Sequence, residues 1–304
     1  MNKASKDYRS LLATVDLGEM TEGIVAKAVD LGARCEAGVD LANVLEGMPV
    51  FLYHAVSSDE LDAILEKSSR WSRERLDELK GRIPGIRSLH TASGVLAEEV
   101  RELAQRIGAD LLVVGAHDRR GMAVLFRDRS DEILHRAACD VLVVKRGDAS
   151  GSAETLASYR HLVAAVDLDG GGASVLERAA RMAELYRAEL TLVHVIDHFP
   201  VDRSNQVIGP EDRDPFDYAR KEAEQGLGAL ADEAGVGDCR REVLVSDSTA
   251  SREVPAFATA NGADLIVIGS HGRHGLGRLL GSTADGILHR AACDLLVVRT
   301  QAET

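Results

Sequence analysis

The feature that most constrains this 304-residue sequence is that it repeats itself. Residues 133–145 read ILHRAACDVLVVK and residues 287–299 read ILHRAACDLLVVR, identical at 11 of 13 positions and offset by 154. Gly108-Ala109-Asp110-Leu111 returns as Gly262-Ala263-Asp264-Leu265. Tyr8-Arg9, leading to Val15-Asp16-Leu17, returns as Tyr159-Arg160, leading to Val166-Asp167-Leu168. Solenoid repeats run to only about 20–50 residues, so this period marks a duplicated domain. The segment RGDASGSAETLAS at 146–158 is rich in Gly, Ser and Ala and has no apolar period, as expected of a linker. We place the divisions at 1–147, 148–158 and 159–304.

Within each unit short apolar runs alternate with amphipathic stretches. In the second unit the runs at 161–166, 189–195, 241–245, 264–269 and 294–299 read as strands. In the first unit those near 10–15, 48–55, 86–90, 110–115 and 140–145 do the same. Between them Val175, Ala179, Met182, Ala183 and Tyr186 follow steps of three and four, the period of a helix. Strand and helix in alternation predict an α/β fold, an open parallel sheet with helices on both faces.

Composition excludes several classes. The longest apolar runs, such as Leu111-Leu112-Val113-Val114, fall far short of the roughly 18 residues of a membrane helix, so no membrane partner is expected. Asp and Glu total 49 against 36 Lys and Arg, and aromatics are 4%, which argues against nucleic acid as a partner. Cys35, Cys139, Cys239 and Cys293 form no CxxC pair and read as reduced thiols. Together with the absence of an apolar leader in Met1 to Leu17, this predicts a cytoplasmic protein.

In open parallel sheets ligands bind at the carboxyl ends of the strands. The richest such loop runs from Gly269 to Thr283, GSHGRHGLGRLLGST, and opens a helix at about Gly281-Ser282-Thr283. Glycines let backbone N–H groups approach an anion, and a helix amino end adds unpaired donors. The loop is neither GxxxxGK[ST] nor GxGxxG. Two readings stand side by side, a phosphate cradle and a set of glycine turns in which Ser282 or Thr283 merely caps a helix. His271 and His274 have no second ligand pair nearby, so no metal site is expected. Gly170-Gly171-Gly172 after the first strand reads equally as a ligand approach or a turn.

These residues resemble the universal stress protein family, and the resemblance covers nearly the whole chain. It is carried by Ala165-Val166-Asp167, by His194-Val195, by Gly269-Ser270-His271-Gly272-Arg273 followed by Gly281-Ser282, and by Cys293-Asp294-Leu295-Leu296-Val297-Val298. It implies two tandem five-stranded parallel sheets of order 3-2-1-4-5, an adenine nucleotide alpha-hydrolase-like fold. It also implies pairing through the last strands, Asp294 to Thr300 against Asp140 to Arg146, with any homodimer using another surface. The family's nucleotide motif, Gly-x2-Gly-x9-Gly-Ser/Thr with an Asp after the first strand and a Val after the second, maps onto Asp167, Val195, Gly269, Gly272, Gly281 and Ser282. His271 and Thr283 lie within the same cradle. The spacer 273–280 is one residue shorter than the motif.

The first unit departs further, with Asp118 for the second glycine, Arg127-Asp128 for Gly281-Ser282, and Ala55 in the place of Val195. His54 and His194 are read as ending equivalent strands. The resemblance thus implies a stress-response binding or regulatory protein, rather than an enzyme, that takes ATP with Mg or a related adenine nucleotide in its second domain. The shorter spacer keeps open a protein–protein association module without nucleotide. A slow ATP hydrolase is the third reading.

Overall fold

A computed structural model describes residues 7–46, 57–116, 129–145, 158–168, 171–197, 215–270 and 280–300. They fold as two compact units that divide between Ser158 and Tyr159. The first unit runs β1 (Ser10–Thr14), α1 (Thr21–Cys35), β2 (Gly38–Leu45), α2 (Ser58–Arg82), β3 (Ile86–Ser93), α3 (Leu96–Ile107), β4 (Leu111–Gly115), α4 (Arg129–Arg136) and β5 (Asp140–Val144). All its strand pairs are parallel. β1 lies between β2 and β4, β3 flanks β2, and β5 flanks β4.

The second unit repeats the plan as β6 (His161–Ala165), α5 (Gly172–Tyr186), β7 (Glu189–Ile196), α6 (Pro215–Glu233), β8 (Arg240–Val245), α7 (Ala250–Ala260), β9 (Leu265–Gly269), α8 (Ser282–Arg290) and β10 (Asp294–Val298). β6 lies between β7 and β9, with β8 beyond β7 and β10 beyond β9. The α/β class read from the sequence is the class found.

The inner strands are unbroken apolar runs because helices cover both of their faces. Leu11, Leu12, Val113 and Leu142 in one unit, and Leu162, Val163, Val267 and Leu296 in the other, are fully buried. α5 turns Val175, Leu176, Ala179, Met182 and Tyr186 inward, the apolar stripe of an amphipathic helix. The repeated motifs are repeated fastenings. Asp110 accepts from the N–H groups of Arg9 and Ser10, and Asp264 from those of Arg160 and His161. Buried Tyr8 donates to Asp140 at 2.8 Å, and buried Tyr159 to Asp294 at 2.8 Å.

One strand differs from the sequence reading. The second strand of the first unit is Gly38–Leu45, not 48–55, and residues 47–56 lie outside the described residues. GVDLANVL buries two polar side chains that break its apolar run. Asp40 is buried against the guanidinium of Arg87. Asn43 accepts from the Ser72 hydroxyl at 2.8 Å and donates to the Val15 carbonyl at 2.7 Å. Asn43 therefore occupies the place of His194, which makes the same bond to the Val166 carbonyl at 2.8 Å. Val44, rather than Ala55, corresponds to Val195, and His54 is not the counterpart of His194.

Candidate functional site

The second unit builds its candidate site where the chain reverses direction through the sheet. From β6 the chain steps to β7 and β8, then returns past β6 to β9 and β10. Right-handed crossovers in opposite directions put α5 and α6 on one face and α7 and α8 on the other. α5 packs with α6, and α8 with α7. A crevice is left between the carboxyl ends of β6 and β9, the usual ligand position in such a sheet.

Asp167 follows β6 by two residues and is half-buried. Val195, also half-buried, stands near the end of neighbouring β7. The His194 imidazole ties the two ends together. Its Nδ1 meets the Val166 carbonyl, which can only accept, so Nδ1 carries the proton. Gly269 is the last residue of β9, and Gly281 is the N-cap of α8.

The structure draws those two together. Gly281 N–H donates to the Ser270 carbonyl at 2.8 Å, and Ser270 N–H to Val298 at 2.8 Å. The amino end of α8 is thereby fixed over the end of β9. Gly281 contributes no capping side chain, and exposed Ser282 and Thr283 form the first turn. The leading N–H groups of α8 are thus open to an outside acceptor, with two hydroxyls beside them. Asp285 in the same turn offsets part of that positive end. His271 and Gly272 lie outside the described residues, as do Asp118, Arg127 and Asp128 of the first unit. Ser270, fully buried, is the anchor that motif reading passed over, because its contribution is a backbone carbonyl.

At the other end of the second unit's sheet the polar groups are bonded within the fold. A groove of about 570 Å³ opens at the opposite, amino-terminal end of β6, β7 and β8. There His161 Nδ1 meets the Asn261 carbonyl at 3.1 Å, and its Nε2 meets the Thr191 hydroxyl at 2.9 Å, so both ring nitrogens are satisfied. Among the described residues no group of three or more His, Cys, Asp or Glu side chains is arranged to hold a metal ion. Nor is any helix among them long and apolar enough to cross a membrane.

A model of the Universal stress protein family matches residues 7–145 and again 158–299. The chain belongs to the universal stress protein family. The double match makes it a tandem universal stress protein. It is similar to Universal stress protein A homolog 1 of Coxiella burnetii, 38% identical over 140 residues that make up 46% of this chain and 96% of that protein. Homolog 2 of the same organism is 31% identical over 143 residues, 47% of this chain and 96% of that protein. In fold the chain is similar to a universal stress protein from Archaeoglobus fulgidus solved by crystallography. That likeness has a TM-score of 0.69 and 17% identity and covers 97% of each chain.

Proposed function

We propose that the second unit, whose five strands lie in the order 3-2-1-4-5, binds an adenine nucleotide, ATP with Mg foremost, and serves as a binding or regulatory protein rather than an enzyme. One observation carries the reading. Asp167, Val195 and Gly269 converge on the reversal point of the sheet, beneath an α8 amino end whose N–H groups have no side-chain cap. In this reading the Gly281–Thr283 turn and the Gly269–Gly272 segment hold phosphates, while Asp167 and the Val195 backbone border the base. The protein is taken to work in the cytosol, in keeping with its four cysteine thiols.

Calorimetric titration of Mg-ATP into the full chain tests this. Saturable heat is expected, lost in Gly272→Asp, which copies the first unit's Asp118, and weakened in Asp167→Ala. Binding unchanged in both variants would remove the site assignment. A second reading, association with other proteins without nucleotide, draws on the eight-residue spacer 273–280 and on Asp285 at the α8 amino end. It expects no heat at millimolar Mg-ATP.

A further inference from the structure

The crevice has a second helix terminus that the nucleotide reading does not use. α5 is 15 residues long and begins after Gly171, whose φ of +69° and ψ of −7° are left-handed. Gly171 has no side chain to cap with, and the first turn holds no Asp or Glu. The N–H groups of Gly172, Ala173 and Ser174 therefore have no intrahelical acceptor, and nothing in the turn offsets the positive end of the dipole.

An independent feature points to a ligand at this terminus. The Thr300 side chain stands directly against it. A methyl group on Gly171 would lie 2.9 Å from Thr300 Cγ2 and 3.5 Å from its Oγ1. Thr300 is 9% exposed, and its Oγ1 is buried without any hydrogen-bond partner. Its backbone N–H donates to Ser270 Oγ at 3.3 Å, which holds the residue at the end of β9. Buried hydroxyls are nearly always paired, so an orphaned one beside a helix amino end marks a missing acceptor. A bare oxyanion accepts from hydroxyl and amide alike. Exposed Ala173 and Ser174 leave an approach to the terminus, while Gly171 packs against Thr300 and Gly172 against the Asp167 carbonyl oxygen.

We propose that the amino end of α5 and the Thr300 hydroxyl form a second anion site, which takes a phosphoryl group. The site uses a different helix terminus from the α8 cradle, and the proposal does not depend on the nucleotide reading. Its ligand is either free phosphate or the phosphate end of a nucleotide.

Thermal melts of the full chain with and without inorganic phosphate, at matched ionic strength, test the site. Phosphate raises the melting temperature of the wild-type protein. Ala173 is exposed, so Ala173→Asp folds and gains stability from the dipole without phosphate, yet loses the phosphate-dependent rise. Thr300→Val removes the orphaned hydroxyl without loss of volume and weakens phosphate binding on the order of tenfold. Gly272→Asp, the test of the nucleotide reading, leaves the phosphate response intact. In parallel melts, a Mg-ATP response lost in Ala173→Asp identifies a nucleotide's phosphates as the source, and one retained there identifies free phosphate. No phosphate response in the wild type, or equal responses in wild type, Ala173→Asp and Thr300→Val, overturns the proposal.

Discussion

The buried phenol of Tyr159 shows how much one repeated side chain holds. Its hydroxyl donates to Asp294, which begins β10, and its ring meets Tyr186 of α5 edge-on at a centroid distance of 5.0 Å. Burial, followed by the negative charge of Asp294, pushes the phenol well above its ordinary ionisation range. The folded state therefore holds this proton more tightly than the unfolded chain. The resulting stability is present below the unfolded value of about 10 and is lost as pH rises beyond it. Tyr159→Phe is expected to cost about 1–3 kcal/mol at neutral pH, by removing a donor to a buried carboxylate. Denaturant midpoints measured at increasing alkaline pH should fall less steeply in this variant than in the wild type. Tyr8 with Asp140 repeats the bond in the first unit, which explains why Tyr-Arg and Cys-Asp recur at matched places in the sequence.

At the scale of elements, the two helix amino ends on the crevice are set by close backbone approach. A Cβ on Gly172 would overlap the Asp167 carbonyl oxygen, whereas one on Gly228 in α6 would meet nothing within 4 Å. The same substitution should therefore have opposite signs at the two positions. Gly228→Ala should stabilise by about 0.5–1 kcal/mol, the helix preference for Ala over Gly. Gly172→Ala enjoys the same preference, but the clash with backbone outweighs it, for a net loss of about 1–3 kcal/mol. Paired urea denaturation of the two variants checks the contrast. Loss of Mg-ATP heat in Gly172→Ala alone would tie the α5 entry to the position of Asp167.

Elements also show where reading the sequence fell short. β1, β4, β6, β9 and β10 are buried on both faces and announce themselves as apolar runs. β2 is also mostly buried, but Asp40 and Asn43 are neutralised by partners on other elements, Arg87 in β3 and Ser72 in α2. Hydropathy alone therefore favours the more apolar 48–55. Of the candidate site, Asp167, Val195, Gly269 and Gly281 could be named from the sequence through the family resemblance, whose motif sits at strand and helix ends. Thr300 was not, because its interest lies in a missing partner.

At the scale of the whole molecule, the duplicated units have diverged at the loop to which the proposed function assigns the phosphates. Both keep the fastenings of the fold, Asp110 and Asp264 among them. The second unit retains Gly272 and Gly281-Ser282, where the first has Asp118 and Arg127-Asp128. A carboxylate at 118 repels phosphate. Equilibrium dialysis is accordingly expected to find about one nucleotide per chain rather than two. Two equivalent sites would show that the substitutions in the first unit are immaterial to binding.

The duplication, the α/β class and the recurrence of Tyr-Arg and Cys-Asp were already written in the sequence, because recurring residues answer recurring environments and burial on two faces imposes its own pattern. The identity of β2, the seating of the α8 amino end on the Ser270 carbonyl, and the orphaned hydroxyl of Thr300 beside Gly171 were decided by the tertiary structure. Each depends on groups far apart in the chain, whose approach is set by the geometry of the sheet and its crossovers rather than by any local pattern.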